Sequence, residues 1–100
     1  MNTSEQATEN AIQNAGKTAP RLTPALIDAQ IVSAAYHVFP HSQMTVCCIT
    51  LQNGFNTTGF SACVSPENFD AQIGRDISFR NARDQIWGLE GYLLKSKLAG

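Results

Sequence analysis

Cys47 and Cys48 stand side by side, Cys63 follows, and His37 and His41 precede them; these residue types invite nucleophilic or metal chemistry. A thiolate enzyme needs a histidine within hydrogen-bond reach and usually a third group to orient it. Both histidines fall just ahead of the segment that carries Cys47 and Cys48. Neighbouring residues of a strand point to opposite faces, so at most one of these two cysteines can look towards such a loop. The plainer reading is a buried small apolar side chain, since free cysteine is among the most buried residue types. His37 and His41 have the i, i+4 spacing of a helical zinc pair, but Pro40 lies between them and interrupts a helix. No catalytic residue, metal or cofactor is therefore expected. An odd cysteine count with no CxxC spacing points to reduced thiols.

The second chemically rich region is 67–97. Asp70, Asp76, Asp84 and Glu90 alternate there with Arg75, Arg80, Arg83 and Lys95. The bland account is a solvated helix face with i, i+4 pairs such as Asp76 with Arg80 and Arg80 with Asp84. The functional account is that one or two arginines, Arg75 or Arg80, reach the diphosphate of a nucleotide, whose oxygens suit the planar guanidinium fork. Asn81 has two readings as well. Its amide can read a base edge, or it can bond a neighbouring backbone carbonyl, because asparagine inside a helix competes with the backbone. Phe69 can stack on a purine or pack the first helical turn, and Trp87 reads as core or interface. The glycines at 54, 59, 74, 88, 91 and 100 match no phosphate-loop spacing.

These residues need elements to position them, and the chain allows few. One hundred residues make one small domain, which buries only about two-thirds of its unfolded surface, so an oligomer would help. With 43% hydrophobic and 15% charged residues and a net charge of −1, nothing favours a nucleic-acid polymer as partner. No apolar run reaches the ~18 residues of a membrane span, and the N-terminus has no apolar signal core. The cytoplasm is the expected location. Charge is unevenly placed: no Lys, Arg, Asp or Glu occurs from Ile31 to Pro66. Exposed sheets usually carry charges that guard their edges, so a neutral stretch this long is expected to be covered by helices or by another subunit.

Residues 1–20 are polar and aperiodic and read as a disordered or weakly helical tail, a mobile one foremost, with a frayed helix near Glu5 to Asn14 as the lesser alternative. Thr23-Pro24 is a helix-start signal, and Leu26, Ile27, Ala29, Ile31, Val32 and Ala35 carry a short helix to just before Tyr36. His37 to Pro40 is loop or a first strand. Met44 to Gln52 reads as a strand, and Asn53-Gly54 predicts a two-residue type I′ hairpin that pairs Gln52 with Phe55, Ile49 with Thr58 and Cys47 with Phe60. That register puts Cys47, Ile49, Leu51 and Phe60 on one face and Met44, Val46, Cys48, Phe55 and Cys63 on the other, both to be covered. Ser65-Pro66 opens the longest helix, to about Lys97. Its apolar residues fall on two sides, Phe69, Ile73 and Ile77 on one and Phe79, Ala82, Ile86, Leu89 and Leu93 on the other. Either the helix breaks at Gly88 or Gly91, or its halves pack against different things, the second being a neighbouring subunit.

The segments TVCCITLQNGF (45–55), SACVSPENFD (61–70), IGRD (73–76) and NARDQIWGLEGYLL (81–94) resemble a small phage and prophage protein family, over about 24–94. The pattern is also similar to the phage Thoeris anti-defense proteins called Tad one. Those proteins act as sponges for the cyclic ADP-ribose-type signal of bacterial TIR-domain enzymes, and some members hold cyclic di- or trinucleotides. The resemblance implies a short sheet, long C-terminal helices and ligand sites between protomers, with Arg75 and Asn81 as recurrent polar positions and Phe69 one turn inside the helix start.

The sequence thus predicts an α+β domain over 21–100: a short antiparallel β-sheet, a hairpin with an Asn-Gly turn, preceded by a short helix and followed by a long C-terminal one. The predicted function is that of a non-enzymatic phage anti-defense protein, a homo-oligomer that sequesters a nucleotide-derived signal through Phe69, Arg75, Arg80 and Asn81. The alternatives are a phage protein that binds and inhibits a host protein and, behind it, a small hydrolase.

Overall fold

The computed structural model describes residues 3–16 and 19–100. Three helices and three strands follow in the order α1 (Thr3–Asn14), α2 (Pro24–Ala29), β1 (Ile31–Val38), β2 (Met44–Leu51), β3 (Asn56–Ala62) and α3 (Ala71–Ala99), with a 3-10 turn over Pro66–Asn68. The strands form one antiparallel sheet in the order β1-β2-β3. The molecule is α+β, as its sequence predicts.

Within residues 1–20, where a mobile tail is the first expectation, residues 3–14 are helical. Composition argues against an independent helix there; what holds it is a set of ion pairs to distant residues, described below. Residues 1, 2, 17 and 18 of the expected tail lie outside the described residues.

Thr23 starts α2 as its pattern predicts: its hydroxyl oxygen accepts from the Leu26 amide at 3.2 Å, and Pro24 fills the first position, where no amide is needed. The helix ends at Ala29, not before Tyr36. The Gln52 side-chain amide donates to the Ala29 carbonyl at 3.1 Å and the Gln52 backbone N–H to the Gln30 carbonyl at 3.0 Å, so the hairpin caps the helix end. Ile31 and Val32 then run as strand, the conformation β-branched residues favour. Their spacing from Ile27 mimics a helix, and pairing with β2 overrides it.

The Asn53-Gly54 turn forms with a different loop length. The Leu51 N–H donates to the Phe55 carbonyl at 2.8 Å and the Gly54 N–H to the Leu51 carbonyl at 2.9 Å, which leaves three residues in the loop. Gly54 alone takes the left-handed conformation, at φ 87°; Asn53 instead accepts the Phe55 N–H on its side-chain oxygen. Cys47 therefore faces Gly59, not Phe60, and Ile49 faces Thr57, not Thr58. A one-residue slip sends every side chain of β3 to the other face. Phe60 lands opposite Val46 on the outer face and is 61% exposed.

Ser65-Pro66 opens only the 3-10 turn, and Asp70 caps α3, its carboxylate accepting from the Gln72 and Ile73 amides at 2.9 and 3.0 Å. α3 does not break at Gly88 or Gly91. Its buried face is a stripe at four-residue spacing, Gly74, Ser78, Ala82 and Ile86, with Arg83 at its flank. Small side chains let the helix axis lie close to the sheet. At Gly59 the approach is so tight that a Cβ would stand 2.2 Å from the Ala82 nitrogen and 2.4 Å from the Ser78 carbonyl oxygen. The core between these layers is Ile27, Cys47, Ile49, Leu51, Ala82 and Ile86. Each buried isoleucine contributes roughly 1.5–3 kcal/mol by removal from water. The opposite face of the sheet carries no described helix, and Ile73, Leu89 and Leu93 of α3 stay 57%, 40% and 47% exposed.

Candidate functional site

The predicted ligand residues lie along the first half of α3 and just before it. Phe69 closes the 3-10 turn in extended backbone and is half-buried. Arg75, one turn into the helix, receives Gln72 as a partner, its Nη2 donating to Gln72 Oε1 at 2.9 Å. Arg80 is exposed, and neither it nor Arg75 forms an ion pair among the described residues, so the expected Asp76–Arg80 and Arg80–Asp84 pairs are not made. Asn81 is engaged elsewhere: its Nδ2 donates to the Phe60 carbonyl at 3.0 Å. One turn on, Gln85 donates to the Thr58 carbonyl at 2.6 Å. These two amides cover the outer carbonyls of edge strand β3 directly beside the Gly59 contact, protecting a strand edge that would otherwise be open to pairing. Arg75 and Asn81 lie six residues apart, about 120° around the helix, so they do not share one face.

Cys47 and His37 lie on opposite faces of the sheet. Cys47 is wholly buried under α3, and burial pushes its thiol up from the ordinary value. Tyr36 lies opposite it on the β1–β2 ladder, and burial raises that phenol too. A protonated thiol is a weak nucleophile. His37 stacks edge-on against Phe39 at 4.7 Å, and His41 sits in the β1–β2 loop at φ 62°. Among the described residues no group of three His, Cys, Asp or Glu side chains is placed to hold a metal ion.

The most developed polar cluster lies elsewhere, around Arg83. Its Nη1 and Nη2 each donate to one oxygen of Glu5 at 2.8 Å, its Nε donates to Asp28 Oδ1 at 2.7 Å, and only 8% of the residue is exposed. The Trp87 indole N–H donates to Glu5 Oε2 at 3.1 Å. The Arg83 hydrogen bonds are the main reason the Glu5 carboxyl lies below its ordinary value, and the Glu5 bonds hold the guanidinium proton more tightly. One turn along α1, Glu9 takes both Nη atoms of Arg21, at 2.6 and 2.8 Å, and accepts from Gln13. These bonds lower its carboxyl to about 2. Sequence reasoning named Arg83 only as one surface charge among several. The available signal was Arg83 and Trp87 at i, i+4; their partner Glu5 lies 78 residues away and has no local signature.

A shallow groove of about 230 Å³ runs between the α2 entry and the last turns of α3, lined by Leu22, Leu26, Leu93 and Leu94 and rimmed by Glu90 and Lys97. No described helix is long and apolar enough to cross a membrane.

A family model described as the phage protein (N4 Gp49/phage Sf6 gene 66) family matches residues 22–98. That span takes in α2, the sheet and α3 and begins after α1. No curated protein and no solved structure matches the chain significantly.

Proposed function

The chain belongs to the phage protein (N4 Gp49/phage Sf6 gene 66) family, and from that premise we propose that it is an anti-defense protein that binds and sequesters a nucleotide-derived immune signal, a cyclic ADP-ribose isomer or a cyclic oligonucleotide, without cleaving it. The ligand class comes from the sequence resemblance to the Tad one proteins. The observation that carries the reading is a difference among arginines. Arg21 and Arg83 are tied to carboxylates, whereas Arg75 and Arg80 have no ion-pair partner among the described residues. Two guanidiniums without an ion pair among the described residues, on the helix that Phe69 precedes, suit phosphate and base by their chemistry. Asn81, engaged with the edge of β3, serves this reading less well than its residue type suggests.

Binding between protomers belongs to the same proposal. A compact 10.8 kDa chain exposes about 5,500 Å², and this one exposes 6764 Å². Its radius of gyration is 16.1 Å where about 13 Å is usual for this length. The excess, roughly 1,200 Å² per chain, exceeds the ~800 Å² each partner contributes to a standard interface. A homo-oligomer would also let Arg75 of one copy and Arg80 of another reach one ligand. Sequestration needs no catalytic group.

The test is a thermal-shift screen against cyclic ADP-ribose isomers and cyclic oligonucleotides, followed by calorimetry on Arg75→Ala and Arg80→Ala. A hydrogen bond to a charged group is worth about 1.5–3 kcal/mol, so each change weakens binding tenfold to a hundredfold while the fold persists. Heat-denatured complex releases intact nucleotide; release of product means hydrolysis. Both variants binding like the wild type removes the α3 site. A second reading, inhibition of a host protein, is favoured by the uncovered, charge-free outer face of the sheet around Phe60, and it predicts no nucleotide-dependent rise in melting temperature.

A further inference from the structure

Arg83 is a buried cation whose guanidinium fork is filled by a residue from outside the family-matched span. Glu5 reaches it from α1, while Arg83, Trp87 and Asp28 all lie within residues 22–98. The three donors converge as a receptor does: Nη1 and the indole N–H both meet Oε2 of the carboxylate, and Nη2 meets Oε1. A fork-to-carboxylate pair of this kind is geometrically selective. Asp28 on Nε leaves the cluster one positive charge short, so a single negative charge suits it better than two.

α1 brings almost no apolar surface to this contact. Its one buried residue is Glu9, its half-buried ones are Glu5 and Ile12, and the remaining described side chains of the helix are exposed. Glu5 and Glu9, four residues apart on one helix face, hold it to Arg83 and Arg21. A helix attached by ion pairs can be exchanged for another carrier of the same charge without uncovering a core.

We propose that Arg83 and Trp87 form a carboxylate-binding site on the family-matched body and that α1 is a displaceable ligand for it in cis, so that an acidic polypeptide segment binds this protein by exchanging with Glu5. The site is separate from the α3 residues assigned to nucleotide binding, and its test does not depend on that assignment.

Trp87 is the sole tryptophan and donates to Glu5, so its fluorescence reports on the site directly. Full-length Glu5→Ala removes the CH2–COO⁻ unit that acetate replaces. Acetate titrated into this variant should shift the Trp87 emission saturably back towards the wild-type position, whereas wild type shows no saturable response. A synthetic peptide of residues 3–16 should saturate the variant at concentrations at least tenfold below acetate; acetate binding as tightly as the peptide assigns the site to free carboxylates and overturns the polypeptide ligand. Inorganic phosphate saturating the variant below acetate, or no saturable response to any of the three, overturns the site. If Glu5→Ala fails to fold, Glu5→Gln keeps the side-chain shape and one acceptor oxygen. The peptide must then compete α1 off this variant, read as the Trp87 shift and as faster protease cleavage in α1, and the absence of both overturns the proposal.

Discussion

α3 meets the sheet through Gly74, Ser78, Ala82 and Ile86, packed on Cys47, Ile49 and Gly59, with scarcely a charge in the contact. α1 meets the same body through Glu5 and Glu9, with Ile12 its one half-buried apolar side chain among those described. The first attachment depends on shape. Its strength comes from area removed from water and from a backbone approach that admits no extra atom, and it is indifferent to pH. The second depends on protonation and on salt, which screens such pairs with a Debye length of about 10 Å at 0.1 M. A small chain can thus hold one helix permanently and another conditionally by choosing which kind of residue it places at the contact.

The largest effect is expected where shape leaves no freedom. A methyl at residue 59 would meet three backbone atoms, the Ala82 nitrogen, the Ser78 oxygen and the Asn81 carbonyl carbon, at 2.2, 2.4 and 2.8 Å. Gly59→Ala must push α3 off β3 and pull Asn81 and Gln85 from their carbonyls. A loss of more than about 4 kcal/mol, in the exceptional range for one substitution, is expected in urea melts; a variant within 1 kcal/mol of wild type, on the same scale, would show that the helix is not seated on the sheet as described.

Ile86→Ala removes the large end of the same stripe, a wholly buried side chain. It should lower stability by about 2–5 kcal/mol, the range for truncating a packed isoleucine, with α1 still docked by Trp87 fluorescence. Loss of the Trp87 signal ahead of the fold would mean that the two attachments are not separate.

Acid should release α1 alone. Glu5 and Glu9 both have folded values below the ordinary 4.5, Glu9 at about 2. Groups depressed in this way contribute fully above the unfolded value, and the contribution fades as pH falls through the folded one. Between about pH 4.5 and 2 the Trp87 emission should therefore shift and α1 become protease-sensitive, before the far-ultraviolet signal of the sheet and α3 is lost. A single transition shared by all probes contradicts the division.

Much of the fold could be read from residue types in isolation. Thr23-Pro24 specifies a helix start because the hydroxyl and the missing amide act within four residues, and Val46, Ile49 and Thr50 specify a strand, although its apolar residues point to cover on both faces where only one is buried. Asn53-Gly54 specifies a turn at that place, since Gly54 carries the positive φ on which the chain reverses. Arg75 and Arg80 could be placed on a helix in the same way, but the partners that the spacing offers Arg80 one turn away are not taken.

What only the tertiary structure decided were choices between near-equal local options. Ile31 and Val32 fit a helix or a strand, and β2 made them strand by pairing. A two- or three-residue loop fits Asn53-Gly54, and the length sets which face Phe60 takes; α3, which needs Gly59 beneath it, selects the longer one. Asn81 could face a ligand or a carbonyl, and the open edge of β3 took it. α1 has no apolar face to announce it: Glu5 and Glu9 share a helix face, but nothing local shows that Arg83, 78 residues away, is the partner of one of them.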